Sequence, residues 1–221
     1  MERALIIGES GAVGGAVASA LRARGVEVVG LSRSRDGLDV TDEVAVARVL
    51  GAVQGPFDLV LVATGALEIG GAGPEKALRE ISAEAMLAQF ALNAVGPALL
   101  LGHAARLLPR DGRSVFAVLT ARVGSIGDNR LGGWYSYRAA KAAANQIVHT
   151  AAVELARTHR QAAVVALHPG TVQSDLTARY LRRHPAVAPA EAAGNILSVL
   201  DGLGPADTGG FFDWRGDRVE W

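Results

Sequence analysis

The chain contains no cysteine. That excludes a disulfide framework, a thiol nucleophile and a cysteine-ligated metal, and leaves the compartment open. Neither charge is in excess. The 22 basic and 22 acidic residues give a formal net charge of zero, so no electrostatic footprint for nucleic acid or an anionic membrane is present. Small neutral partners are expected. No apolar run reads as long enough to span a membrane, and the chain enters a strand pattern directly after acidic Glu2, so a soluble cytoplasmic protein is expected. There is no repeat of fixed period. The most linker-like segment, Gly70-Gly71-Ala72-Gly73-Pro74, is too short to separate domains. At 221 residues, half of them hydrophobic, the chain can build one good core but not two ordinary domains, and a single domain over 1–221 is expected.

Strand-like and helical runs alternate along the whole chain. Short apolar runs at 3–7, 26–31, 38–42, 57–63, 114–120, 162–167 and 209–213 predict about seven strands. Between them, helical patterns run over 12–24, up to Leu50, over 82–108 and 134–157, and from Pro189 to about Leu200. Such alternation is solved by a doubly wound parallel sheet of Rossmann type with helices on both faces. Within the long 82–108 pattern, Gly96-Pro97 should disturb the helix and free the Asn93 carbonyl for water, because proline lacks an amide donor.

Two stretches carry chemistry. Gly8-Glu9-Ser10-Gly11-Ala12-Val13-Gly14-Gly15 follows the first strand and opens a helix, where glycines allow a tight turn and close approach of a pyrophosphate to the helix N-terminus. A tight turn with small residues for packing would look the same. The second strand ends in Ser32-Arg33 rather than an acid, and a hydroxyl with a guanidinium suits a 2′-phosphate, which favours NADP over NAD. Asp39 is equally an adenine contact or a turn residue. Ala63-Thr64-Gly65, at the end of the strand at 57–63, offers small residues to lie against a cofactor.

The other stretch is Trp134-Tyr135-Ser136-Tyr137-Arg138-Ala139-Ala140-Lys141, which opens an alanine-rich run. Tyr137 and Lys141 share one helix face at i,i+4. An ammonium beside a phenol favours the phenolate, bringing a group that titrates at about 10 toward useful acid/base chemistry. A solvated surface pair has the same spacing.

The glycine turn, Asn93, Tyr137 with Lys141, and Pro169-Gly170 stand in the order and spacing of the short-chain dehydrogenase/reductase family, which the chain resembles over essentially its full length. Arg122-Val123-Gly124-Ser125-Ile126-Gly127-Asp128-Asn129 and Gly210-Phe211-Phe212-Asp213-Trp214 resemble its short C-factor-like members. The resemblance implies that Tyr137, not Tyr135, is the acid/base, that Lys141 holds the nicotinamide ribose and lowers the tyrosine pKa, and that Asn93 anchors a water. It implies NADP contacts from Gly8, Ser10, Gly11, Val13, Gly14, Ser32, Arg33, Asp39, Val40, Ala63, Thr64, Gly65, Asn93, Tyr137, Lys141, Pro169, Gly170 and Val172. No metal is implied. Two positions depart from the family. Ala12 replaces a glycine of the usual turn, and Thr120-Ala121 stands where Ser-Ser is usual, so Ser125 is the candidate for the substrate-polarising hydroxyl, with Thr120 in reserve. Hydride transfer to or from a carbonyl or alcohol substrate is the implied reaction, with selection by Trp134, Tyr135 and the 171–188 segment. An NADP-binding signalling protein with little turnover is the alternative that Ala121 motivates. An extended-type sugar epimerase fits less well, because little chain follows the sixth strand. The apolar helices near 82–108 and 137–157 predict a homodimer or a homotetramer.

Overall fold

The computed structural model describes residues 1–174, 177 and 186–221. Six strands form one wholly parallel sheet in the order β2-β1-β3-β4-β5-β6: β1 (Arg3–Ile7), β2 (Glu27–Leu31), β3 (Leu59–Val62), β4 (Ser114–Leu119), β5 (Ala162–His168) and β6 (Phe211–Asp213). Both faces are covered by helices, which is why β3 and β4 are buried at every position and read as continuous apolar runs. Alternation along the strands divides the core. Ile7, Val62, Val118 and Ala166 face one layer, where they pack with Leu100, Leu107, Val148 and Ala152. Ile6, Leu61, Ala117 and Val165 face the other, with Val17, Leu21, Ile196 and Leu200.

The helices of the second layer are α1 (Ala12–Ala23) and, late in the chain, α8 (Pro189–Gly202). Between β2 and β3 lie the single turn α2 (Arg33–Asp36) and α3 (Glu43–Ala52). The first layer continues with α4 (Ala83–Phe90), a π-helical segment Ala91–Val95, α5 (Gly96–Leu101), α6 (Ala104–Leu107) and the long α7 (Tyr135–Leu155). The π turn has an identifiable cause. Pro97 has no N–H to give the carbonyl four residues back, which is that of Asn93, so the α ladder is interrupted there.

Two expectations are corrected. Residues 38–42 form no strand, which accounts for six strands where about seven were expected. The Asp39 carboxylate accepts from both the N–H and the hydroxyl of Thr41, at 2.9 and 2.7 Å, and its carbonyl accepts from Asp42. The backbone is thereby drawn into a turn before it can pair, and Asp42 then caps α3 through Val44 and Ala45. The other correction concerns apolar length. The helical stretch Ala83–Leu101 has a mean hydropathy of 1.4 and is long and apolar enough for a membrane span by composition alone; here Leu92, Leu99, Leu100 and Leu101 of it pack into the first core layer.

Between β1 and β3 the chain order reverses, since β1 is followed by β2 on one side and by β3 on the other. A crevice forms outside the carboxyl ends of the strands at such a point. The site lies there.

Candidate active site

The turn after β1 fits a dinucleotide phosphate. Gly8 has φ +96, and a Cβ there would lie 2.7 Å from the Ala63 carbonyl oxygen; one on Gly14 would collide with the Gly8 carbonyl. The glycines at these two positions are therefore required by close approach of β1, α1 and β3. Gly11 caps α1 with no side-chain hydrogen bond, and the first turn has no acid, so the positive end of the helix is uncompensated. Ser10 is exposed beside it, and Val13 packs toward the core.

At the tip of β2 the picture is more saturated than the sequence suggested. Ser32 is buried; its hydroxyl accepts from Arg35 N–H, and its own N–H donates to the Asp36 carboxylate at 2.7 Å. Arg35 pairs with Glu9 at 2.8 Å and Arg22 with Glu9 at 2.6 Å. Burial alone would raise the Glu9 carboxyl, but these two arginines outweigh it and hold it below its ordinary value. Arg33 is exposed and makes no ion pair among the described residues. Asp39 is committed to its turn, and Val40 is buried against Gly96, where a Cβ would lie 2.8 Å from it.

The π turn brings Asn93 into the crevice. Its Nδ2 donates to Ala66 O at 2.9 Å and to Gln89 Oε1 at 2.6 Å, while Gln89 Nε2 donates to Leu67 O at 2.9 Å. Asn93 Oδ1 is buried without a protein partner, as is the Thr64 hydroxyl. Both belong to a polar lining that a ligand would complete. Gly65 lies directly over this point: a Cβ there would be 2.8 Å from Asn93 Oδ1 and 3.3 Å from Lys141 Nζ.

Lys141 reaches the same place from α7. It is 3% exposed, and its Nζ donates to Leu119 O at 3.3 Å. Its ammonium is 5.8 Å from the Tyr137 ring centroid. The expected lowering of the phenol is not seen in this state of the site. Burial pushes Tyr137 up to about 12 and Lys141 down to about 8, because each charged form is desolvated and this outweighs their mutual attraction.

The start of α7 is held from a distant loop. Trp134 precedes the helix with φ 55, a left-handed conformation rare for so large a residue. Glu75, buried, accepts the Trp134 N–H on its carbonyl at 2.6 Å and the Ser136 N–H on its carboxylate at 3.2 Å, and takes the Ser136 hydroxyl as well. It serves as the N-terminal cap that α7 lacks. The Trp134 ring meets Tyr137 edge-on at 6.2 Å.

The two hydroxyl candidates differ. Ser125 is buried, and its Oγ accepts from Asp128 N–H at 3.0 Å, closing a turn. Thr120, at the end of β4, is buried with its hydroxyl unpartnered. On the far side, Gly170 (φ +79) lies against the Trp214 indole, Pro169 is partly buried beside it, and Val172 bridges to Val187. Of the expected substrate-selecting segment, residues 175, 176 and 178–185 lie outside the described residues.

The profile of the family described as enoyl-(acyl carrier protein) reductase matches residues 8–198, from the first glycine of the turn into α8. The chain belongs to the short-chain dehydrogenase/reductase family. C-signal of Myxococcus xanthus is 33% identical over 168 residues, covering 76% of this chain and 94% of that protein. The 1-hydroxy-2-glutathionyl-2-methyl-3-butene dehydrogenase of Rhodococcus sp. (strain AD45) is 37% identical over 133 residues, 60% of this chain and 57% of that enzyme's length. A Burkholderia multivorans protein of the same family, solved with bound NADP, superposes with a TM-score of 0.84 at 27% identity, over 100% of this chain and 99% of its own.

Three residues of this short-chain dehydrogenase/reductase site escaped the reading of its sequence. Gln89 stands four residues before Asn93, and that spacing is a legible signal. Glu9 and Glu75 act across 26 and 61 residues, for which no local pattern exists. The buried lysine has a measurable consequence. A folded-state pKa of about 8 against an ordinary 10.5 means that the charged form opposes folding in full below pH 8. The penalty fades as pH rises toward 10.5 and is gone above it, on the order of 3 kcal/mol in all. Lys141→Met should therefore be more stable than the parent at pH 7, with the advantage shrinking above pH 8 in denaturant titrations; a pH-independent difference would contradict it.

Proposed function

We propose that this short-chain dehydrogenase/reductase is an NADP(H)-dependent oxidoreductase that moves hydride between nicotinamide and the carbonyl or alcohol carbon of a small lipophilic substrate in the cytoplasm. The observation that carries this reading is the convergence of Lys141 Nζ and Asn93 Oδ1 on Gly65 at the mouth of the crevice. Bound NADP would supply the hydride chemistry. The chain supplies the rest. Gly8, Ser10, Gly11, Val13 and Gly14 hold the pyrophosphate against α1. Arg33, without an ion pair among the described residues, takes the 2′-phosphate together with Ser32. Asp39, Val40, Ala63, Thr64 and Gly65 line the adenosine and ribose, and Pro169, Gly170 and Val172 the nicotinamide end.

Tyr137, protonated at neutral pH, donates its proton to the substrate oxygen in reduction, and Lys141 holds the ribose and stabilises the phenolate left behind. Ser125 polarises that oxygen; Thr120, whose hydroxyl has no protein partner among the described residues, is the substitute. The Asn93 carbonyl, deprived of its helical donor, anchors a water that returns the proton. The Rhodococcus relative, a dehydrogenase by name, and the NADP of the Burkholderia protein support this reading. A second one, an NADP-binding signalling protein with little turnover, is supported by Ala121, which cannot donate, and by the likeness to C-signal.

Titration decides the cofactor. A charge-assisted phosphate contact is worth roughly 1.5–3 kcal/mol, so NADPH should bind about tenfold or more tighter than NADH, and Arg33→Ala should erase the preference. Equal affinities would contradict the assignment. NADPH consumption over aldehydes, ketones and diketones should fall about a hundredfold or more in Tyr137→Phe, whereas tight NADPH binding without turnover on any of them favours the signalling reading.

Association is the further part of the proposal. Ala98, Leu101, Ala105, Ile147, Ala151 and Leu155 line an apolar groove between α5, α6 and α7, and pairing two such faces about a two-fold axis gives a homodimer or, repeated, a homotetramer. Light scattering at micromolar concentration should show twice or four times the chain mass of 22.8 kDa; a monomer alone would refute it.

A further inference from the structure

Four buried polar atoms on the sheet side of α7 have no partner among the described residues: the Thr120 hydroxyl, Nδ1 of His168, and both Nδ2 and Oδ1 of Asn145. The register brings them to one level. Leu119 pairs with Leu167, and Thr120 N–H continues the ladder onto Leu167 O at 2.9 Å, which puts Thr120 beside His168. Val118 and Ala166, one position earlier on the same face of each strand, pack with Val148 and Ala152 of α7, so Thr120 and His168 also face that helix. α7 runs back from the carboxyl edge of the sheet. One turn before Val148, toward that edge, is Asn145, and one turn further is Lys141, anchored on Leu119 O.

Asn145 is 2% exposed and Thr120 4%. A buried polar group left unpaired costs about 1–3 kcal/mol, and roughly nine in ten are paired in folded proteins. Backbone groups within a helix or sheet ladder are already committed to it, so a side chain facing such a ladder depends on another side chain or on water for a partner. Their chemistry suits a small ligand that both gives and accepts hydrogen bonds: the amide offers a donor and an acceptor, the hydroxyl either, and the imidazole one of each according to tautomer. Water with two to four such partners is the species that occupies polar interior sites.

We infer that Thr120, Asn145 and His168 bound an internal water site one helical turn beneath Lys141, which hydrates the buried lysine from the side of the sheet. Burial pushes His168 down to about 4, against the raising effect of nearby Asp213, so the ring is neutral at neutral pH and keeps one nitrogen as an acceptor. The site is distinct from the water proposed at the Asn93 carbonyl, which belongs to the helix layer. Its existence does not depend on the proposed reaction; only its use there, keeping Lys141 chargeable while buried, rests on that reading. The Tyr137 ring lies 5.8 Å from the Lys141 ammonium, and the charged groups that act on His168 are Asp213 on β6 and Arg122, which pairs with Asp213 at 3.5 Å.

Asn145→Leu keeps the volume and removes both polar atoms. A high-resolution crystal structure of the parent should show water bonded to the Asn145 amide and to Thr120 or His168. In Asn145→Leu, the Lys141 Cε resonance of carbon-13-labelled protein should titrate lower by about half a pH unit or more, since desolvation disfavours the ammonium. Should that variant not fold, Thr120→Val is the substitute, with a smaller shift in the same direction. Density showing the Asn145 amide bonded directly to protein atoms, or an unchanged Lys141 titration in a folded variant, overturns the inference. None of these readouts needs turnover or bound NADPH, so failure of the proposed function would leave a different trace.

Discussion

A lysine ammonium buried without an ion pair among the described residues is the constraint on which this site depends. Lys141 has one protein acceptor, Leu119 O, and keeping its charge there opposes folding at neutral pH. The surroundings are built to reach it. Gly124 has no room for a side chain, since a Cβ would lie 2.8 Å from the Lys141 main-chain carbon, and this lets the turn after β4 close onto α7. Gly65 leaves open the space where Lys141 Nζ and Asn93 Oδ1 meet. The π turn forced by Pro97 delivers Asn93 to that space, and Gln89 fixes its amide orientation.

The two ends of the crevice differ in how far their polar groups are satisfied. At the β2 end, Glu9 pairs with Arg22 and Arg35 and Asp36 accepts from Ser32, while Arg33 has no ion pair among the described residues. Thr64 and Thr120 follow β3 and β4, and His168 ends β5, each with a buried polar atom that no group among the described residues satisfies. Satisfied networks rigidify, and unsatisfied ones mark where a ligand or solvent completes the structure. The first end holds a scaffold, and the second is where chemistry is proposed.

Much of the fold was legible because buried parallel strands read as unbroken apolar runs, and the glycine turn, Asn93 and the Tyr137–Lys141 pair were visible by spacing. Residues 38–42 misled because Asp39 outcompetes the sheet for its own backbone, a contest between side chain and ladder that hydrophobic patterning does not register. The sign of the tyrosine shift was also missed. Spacing reports which groups are neighbours, whereas the shift depends on how much water they lose, and that is a property of the packed molecule. Glu75 was invisible for a related reason, since it caps α7 only once the chain between them has folded.

The chain has two lysines, Lys76 and Lys141, so its labelled side chains give two resonances that can be followed through a pH titration. The account predicts that Lys141, assigned by its loss in Lys141→Met, titrates near pH 8, well below the ordinary lysine value of about 10.4. A Lys141 resonance titrating at that ordinary value would mean that the ammonium is not desolvated, and the site as described would not stand.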